Sequence, residues 1–192
     1  MSGVVQKGYT GISEVSLDAF HLSGRKIFLN GKIDEGVANL FLRQMLYLSE
    51  DKENEIDIYL NSPGGEINSG LVICDLLMAS RIPVNIYCTG LAASMAAVIL
   101  ACGAKGRRFI LPHSKTMIHE PLLSGNLHKS ASSIQNMTNS LLQTKALVNS
   151  ILAQQTGRTV NEIEQATSYD HYLDAEETVH FGLCDQIRNI AL

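Results

Sequence analysis

The chain repeats one pattern three times: a short apolar segment typical of a β-strand is followed by a segment with apolar residues at helical spacing. The three units are 26–31 with 34–50, 56–62 with 66–80, and 84–90 with a helix that begins near position 94. Serial units of this kind predict parallel strands joined by right-handed crossovers. We therefore expect an α/β fold, with ligands bound where strands end and helices begin.

Two short strand-like segments, RRFILP and KTMIHEP, follow the third unit, whose helix is predicted to end with Gly103 at its C′ position. Positions 127–156 then show helical spacing, which at ~1.5 Å per residue gives a helix nearly long enough to span the domain. Its polar side is rich in Ser, Asn, Gln and Thr but poor in charge, which favours a subunit contact. We interpret 122–157 as an oligomerisation arm; the alternative is a helix that lies across the domain.

The composition is that of a single domain, 1–192, with 45% hydrophobic residues and no division into halves. The net charge of −4 comes from 15 basic and 19 acidic residues that are interspersed, which argues against nucleic acid as a partner. The longest apolar run, 91–102, is shorter than the roughly 20 residues that span a bilayer, so no membrane helix is expected. Residues 1–10 do not resemble a secretory signal, so we expect a cytoplasmic protein.

Cysteine and basic residues suggest no special site. The four cysteines lie far apart in apolar segments, at Cys74, Cys88, Cys102 and Cys184. Without a C-x-x-C spacing they predict reduced core thiols rather than a disulfide framework or a metal site, and no cofactor is indicated. The basic stretch GAKGRR, with Lys105, Arg107 and Arg108, is interpreted as a solvated turn.

Ser94 lies in the segment TGLAASMAAVILACG, where the third strand is predicted to become a helix. A side chain there points out of the carboxyl edge of the sheet, and the first amides of the helix lack internal partners, which suits a nucleophile. The neighbouring residues are small, as an approaching acyl substrate requires. The alternative is that Ser94 only caps the helix. The spacing G-x-x-x-S also differs from the G-x-S-x-G motif of α/β hydrolases.

Gly64 and Gly65 follow the second strand and open a helix, so unpaired backbone N–H groups and the helix dipole meet at one point. Gly65 and Gly70 have the glycine spacing of a P-loop, but Leu71 and Val72 occupy the positions of its Lys and Ser or Thr. A nucleotide phosphate is therefore disfavoured, and a developing oxyanion is the remaining candidate anion. The alternative is a tight turn with no binding role.

His119 lies at the end of the second short strand and is a candidate general base, although a histidine in such a place is often structural. Position 123 is Leu, which excludes the H-E-x-x-H motif of zinc proteases. A catalytic histidine needs a carboxylate to hold its tautomer. Periodicity does not choose among the available candidates, which are Asp34, Asp75, Asp170, Asp174 and Asp185.

The segments YLNSPGG, GLAASMAAVILACGAKGRRFILPHSKTMIHEP and YDHYLDAEETVHFGLCDQI together resemble the proteolytic subunit of caseinolytic protease, the ClpP family of serine peptidases. The resemblance, from about residue 26 to residue 187, implies a crotonase-like α/β spiral of β-β-α units with a protruding long helix. It implies Ser94 as nucleophile, His119 as general base and Asp170 as orienting carboxylate. It also implies an oxyanion hole made by the backbone N–H groups of Gly65 and Met95.

The resemblance further implies a substrate and an assembly. An unfolded polypeptide would bind in extended form along Gly65 and Ile67 and near Leu122. Two heptameric rings would stack through the long helix, with residues 1–25 at the axial pore, and a hexameric Clp-type AAA+ ATPase would deliver substrates. Ser168 and Tyr169 stand where the family usually has an acidic residue and an Arg that pair across the ring contact.

Three functions are compatible with these residues. The leading hypothesis is a serine endopeptidase that forms an acyl-enzyme on Ser94. The second is a weakly active structural partner that completes a mixed ring with a ClpP paralogue. The third is an acyl-coenzyme A enzyme of the crotonase type, which would have no need for Ser94, His119 and Asp170 together.

Overall fold

The computed structural model describes residues 3–8, 11–51, 54–122 and 130–190. Within these ranges the chain forms nine strands and seven helices. The strands are β1 (Gly3–Gly8), β2 (Gly11–Ser16), β3 (Lys26–Asn30), β4 (Ile56–Ser62), β5 (Val84–Ala93), β6 (Arg108–Ile110), β7 (Lys115–Ile118), β8 (His171–Leu173) and β9 (Gln186–Ile187). The helices are α1 (Leu17–Ser23), α2 (Glu35–Leu48), α3 (Ile67–Ala79), α4 (Met95–Ala101), α5 (Ala131–Thr156), α6 (Val160–Ala166) and α7 (Ala175–Phe181).

The main sheet is mostly parallel and has the order β3-β4-β5-β6-β9. β7 pairs in parallel with the end of β5 and antiparallel with β8. Alternate residues of the central strands, such as Ile58 and Leu60, are fully buried in one core cluster with apolar residues of α2, α3 and α4. The predicted α/β fold of the ClpP type, built from serial strand–helix units, is confirmed.

The other face of the sheet carries a row of aromatic side chains. Phe28, Tyr59, Tyr87 and Phe109 occupy paired register positions on β3, β4, β5 and β6, and successive rings stack with centroids 5.0–5.5 Å apart. Phe28 is 43% exposed. Parallel sheets are normally covered on both faces. In the single chain this end of the row is open to solvent.

The long helix α5 projects from the domain. It begins after the N-cap Ser130, whose side chain accepts a hydrogen bond from Ser133 N, and ends at Gly157 in the left-handed conformation. The predicted first residues, 127–129, lie outside the described ranges. Its buried residues all lie near its carboxyl end, at Val148, Asn149, Leu152 and Ala153. Because residues 131–136 are exposed, the helix does not lie across the domain along its whole length.

The interpretation of Arg108 as part of a solvated basic turn is wrong, because the residue is buried. Its side chain is 2% exposed, and its guanidinium donates to both carboxylate oxygens of Asp185, at 3.1 and 2.5 Å. It also donates to the carbonyl oxygens of Ala101 and Gln155, at the carboxyl ends of α4 and α5. This buried ion pair therefore ties two helices to the β6–β9 edge of the sheet.

The remaining local features were in part missed and in part predicted from the sequence. The amino-terminal part, for which no strand or helix was predicted, forms the antiparallel pair β1–β2 and the helix α1. Gly103 follows the C-cap residue Cys102 and is therefore the C′ residue of α4, as predicted. Its φ is not positive; a side chain is excluded there because a Cβ would lie 2.7 Å from Ile86 Cγ2 and 2.8 Å from Arg108 Cγ. The four cysteines are buried and free, as predicted. None of the described helices is long and apolar enough to cross a membrane.

Candidate active site

Ser94 lies at the junction between β5 and α4 and adopts a rare backbone conformation, with φ 55° and ψ −123°. Positive φ in a residue other than glycine is uncommon and costs free energy, and such strained residues cluster at active sites. Its backbone N–H donates to Met117 O at 2.7 Å, which fixes the turn against β7. Its side chain makes no capping hydrogen bond to α4, so the interpretation of Ser94 as a simple helix cap is wrong.

His119 contacts Ser94 directly. The parallel pairing of Ala93 with Met117 places the residues that follow β5 and β7 next to each other. His119 Nε2 lies 2.8 Å from Ser94 Oγ, within hydrogen-bond distance. The imidazole is mostly shielded from water, with 14% of the side chain exposed. A serine hydroxyl in contact with a shielded imidazole is the arrangement that lets a base remove the hydroxyl proton.

Asp170 lies opposite His119 because β7 and β8 are antiparallel and pair Ile118 with His171. Glu120 N donates to Thr167 O at 2.8 Å, and this hydrogen bond joins the segment after β7 to the segment before β8. Asp170 Oδ1 lies 3.8 Å from His119 Nδ1, which is longer than a hydrogen bond, and 65% of the Asp170 side chain is exposed. The structure therefore brings Ser94 and His119 into contact and places Asp170 near them without a direct hydrogen bond.

The other candidate carboxylates have different positions. Asp34 and Asp174 are N-cap residues whose side chains accept hydrogen bonds from Val37 N and Glu177 N. Asp185 pairs with Arg108, as described above. The remaining candidate, Asp75, lies within α3 and is exposed. Long-range strand pairing thus separates Asp170 from the alternatives that periodicity left open.

The glycine turn 64–65 packs directly on the Ser94 turn. A Cβ on Gly64 would lie 2.5 Å from Ala93 O and 2.9 Å from Met95 N, so only glycine permits this approach. Gly64 O accepts from Ile33 N, and Glu66 N donates to Ile33 O. Among the described residues, the N–H groups of Gly65 and Met95 have no hydrogen-bond partner. Two amide donors are therefore available beside Ser94.

A cleft of about 290 Å³ contains the predicted substrate-binding positions Gly65, Ile67 and Leu122 together with Ser94 and His119. Its other walls are mostly apolar, with Val98 of α4 and Val148 and Leu152 of α5 among them. The contribution of α5 was not predicted, because helical spacing shows that a helix has an apolar side but not which site that side faces. The shape and lining fit an apolar side chain beside Ser94.

The family model described as Clp protease matches residues 13–190. The chain belongs to the Clp protease family. The match includes Ser94, His119 and Asp170, the glycine turn, and the whole of α5. Membership of the Clp protease family implies a peptidase and is consistent with the α/β fold; the roles of individual residues remain predictions.

Proposed function

We propose that this chain is the proteolytic subunit of an ATP-dependent Clp protease, a serine endopeptidase that hydrolyses unfolded proteins and peptides. The observation that carries the proposal is the 2.8 Å contact between Ser94 Oγ and His119 Nε2 inside the cleft. Family membership supports the reaction class. An acyl-coenzyme A enzyme would use two amide donors but would not need this contact, so the crotonase-type reaction is disfavoured.

The reaction uses the contacts described above. His119 Nε2 accepts the Ser94 proton while Ser94 Oγ attacks the scissile carbonyl carbon. The carbonyl oxygen, now negatively charged, accepts hydrogen bonds from the N–H groups of Gly65 and Met95. His119 then donates its proton to the leaving amine and an acyl-enzyme remains on Ser94. Water attacks the acyl group with His119 again as base, and the products are a carboxylate and free Ser94.

The glycine turn supports binding of an extended peptide. Successive backbone groups of an extended segment point to opposite edges. Gly64 O and Glu66 N form hydrogen bonds with Ile33, so the backbone N–H and C=O of Gly65 point away from Ile33. They lie on the side of the segment where Gly65 lines the cleft. A substrate strand added at this edge would bind through main-chain hydrogen bonds, which tolerate many sequences. Its apolar side chain would enter the cleft near Ile67 and Leu122.

Two exposed surfaces support assembly into rings. The amino-terminal part of α5 projects from the domain with a polar, weakly charged surface, and the aromatic row of the sheet is partly open at Phe28. Neighbouring copies that cover these surfaces would bury them as a subunit interface. We propose stacked heptameric rings that receive unfolded chains from a hexameric Clp-type ATPase.

The second candidate, a structural partner in a mixed ring, is favoured by one observation. Asp170 is 65% exposed and its Oδ1 is 3.8 Å from His119 Nδ1, so the third member of the triad is not engaged in the isolated chain. A neighbouring subunit that moves the Asp170 carboxylate towards His119 Nδ1 would complete the site. Activity would then depend on the composition of the ring.

The first experiment is to size the purified chain alone and mixed with a candidate paralogue, and to assay each species. The substrates are a fluorogenic peptide with an apolar residue before the scissile bond and a chemically unfolded protein with blocked thiols. We expect a ring species that cuts peptide bonds in both. Cleavage only by the mixed species would favour the structural-partner function, whereas no cleavage by any assembly, with or without a Clp-type ATPase, would refute the peptidase.

Replacing Gly64 by Ala is expected to lower kcat by roughly 10²–10³-fold, the loss seen when another serine protease loses one oxyanion donor. The added Cβ overlaps Ala93 O and therefore displaces the turn that carries the Gly65 amide. Gly106→Ala is the matched control, since Gly106 has a similar φ of 81° but no atom within 4 Å of the added Cβ. Equal kcat values in the two folded variants would show that the close approach is unimportant.

Replacing Asp170 by Asn is expected to lower kcat more than it raises KM, since the carboxylate orients His119 and does not contact substrate. The loss should be smaller than the ~10⁴-fold loss found where a triad carboxylate is buried, because Asp170 is exposed and solvent screens its charge. Steady-state kinetics in the assembled ring test this. A change confined to KM would argue against Asp170 as the orienting residue.

A further inference from the structure

The cleft beside Ser94 lies between two walls that belong to different parts of the chain. One wall is the end of β7 and the segment after it, from Met117 to Leu122. The other is the carboxyl-terminal part of α5, which contributes Val148 and Leu152. The space between these walls determines which side chains the cleft accepts, so whatever fixes their separation also influences selectivity.

One ion pair joins the two walls. Lys145 Nζ on α5 donates to Glu120 Oε2 at 2.5 Å, and Glu120 follows His119 directly. Among the described residues, it is the only ion pair or side-chain hydrogen bond between 117–122 and α5. The hydrogen bond from Lys145 to the Glu120 carboxylate raises the pKa of Lys145, which keeps the ammonium charged.

Asn149, one helical turn after Lys145, does not help to hold α5 in place. The residue is 1% exposed, and neither its Oδ1 nor its Nδ2 has a hydrogen-bond partner. A buried amide without partners opposes burial of the helix that carries it. The apolar contacts of Val148 and Leu152, the hydrogen bond from Arg108 to Gln155 O and the Lys145–Glu120 pair act against that effect and hold this wall.

We propose that the Lys145–Glu120 pair is a positioning contact that sets the width of the cleft and thereby its preference among apolar side chains, an inference that rests on the proposed peptidase function. The pair joins the wall that carries His119 to the wall formed by α5, and neither of its side chains takes part in the reaction. Because the two side chains are 32% and 42% exposed, added salt screens their attraction. High salt should therefore widen the cleft much as loss of the pair does.

The test compares Lys145→Met, Glu120→Gln and the charge-swapped double variant Glu120→Lys with Lys145→Glu. Glu55→Gln is the matched control: Glu55 pairs with Arg107 at 2.9 Å with similar exposure, 54% and 33%. Glu55 lies just before β4, at the amino ends of the parallel strands, whereas Ser94 follows the carboxyl end of β5. Each variant is assayed with peptides that differ only in Val, Leu or Phe before the scissile bond, at low and at high salt.

For both single variants we expect KM to rise about threefold for the Val peptide and less for the Phe peptide. A change of about threefold is the size expected when an exposed ion pair is lost. The kcat values should stay within about twofold, because the contact between Ser94 and His119 is retained. Wild type at high salt should resemble the single variants at low salt, and the charge swap should restore selectivity. An unchanged Val-to-Phe ratio, or a change equal to that of Glu55→Gln, would overturn the proposal.

Hydrogen–deuterium exchange gives a readout that does not need catalysis. Amides 145–153 should exchange faster in Lys145→Met than in Glu55→Gln. Equal exchange would overturn the positioning contact even if the wild type cleaves peptides. Absence of cleavage by the wild type in every assembly would instead contradict the proposed function, while faster exchange in Lys145→Met would still support the contact itself.

Discussion

Replacing Ser94 by Ala is expected to lower peptide hydrolysis by about 10⁶-fold, close to the loss seen when another serine protease is deprived of its nucleophile. The reason is that the acyl-enzyme cannot form: His119 Nε2 keeps its place, but the oxygen 2.8 Å away that would attack is gone. The KM of the residual reaction should change little, because the backbone of Gly65 and the apolar walls still bind peptide. Steady-state kinetics with a fluorogenic peptide measure both quantities.

Ser114→Ala is the matched control for loss of a serine hydroxyl. Ser114 is 3% exposed and its Oγ donates to Cys88 O at 3.1 Å, so its replacement removes a buried hydrogen bond away from the cleft. It should cost about 1 kcal/mol of stability and leave kcat nearly unchanged. Retention of full activity by Ser94→Ala would show that the hydrolysis assigned to this chain does not use Ser94.

Replacing Asp185 by Asn is expected to lower the free energy of unfolding by roughly 3–5 kcal/mol, because it leaves the Arg108 guanidinium buried without its counter-ion. The double variant Arg108→Met with Asp185→Leu should be more stable than Asp185→Asn, since no charge remains buried. Urea denaturation of each variant measures the difference. A loss below about 1 kcal/mol in Asp185→Asn would indicate that the pair behaves like an exposed one.

The Arg108–Asp185 pair should also make the stability of the fold depend on pH. Burial alone would raise the pKa of Asp185, but the hydrogen bonds and the charge of Arg108 outweigh it, so the pKa in the folded chain is lowered. The contribution to stability is therefore complete above the pKa that Asp185 has in the unfolded chain and is lost as the pH falls through the folded value. The stability difference between wild type and Asp185→Asn should accordingly shrink in acid.

Local pattern was sufficient to predict the elements that carry the site. The alternation in 56–62 predicted β4 with its observed bounds, and the strand-to-helix transition placed Ser94 at a turn. These signals lie within a few residues of the elements they specify, so they can be read directly from the sequence. The β1–β2 hairpin was missed because its strands contain polar residues and glycine and show no clear alternation.

Features that depend on distant partners could not be predicted from local pattern. Arg108 was interpreted as solvated because its neighbours are basic, yet its carboxylate partner is 77 positions away in the chain. Asp170 was one of five candidates until the β7–β8 register placed it opposite His119, and only the family resemblance had singled it out. The side chain opposite Glu120 is on α5, and no local signal indicates that Lys145 reaches it.

Labelling with a fluorophosphonate tests the central claim most directly, because it requires an activated serine but no particular substrate. Intact-mass and peptide-mapping measurements on the assembled protein should find one adduct per active chain, on Ser94. The label should be lost in Ser94→Ala and kept in Ser114→Ala. Unlabelled Ser94 in every assembly, or equal labelling of Ser94→Ala, would contradict the account.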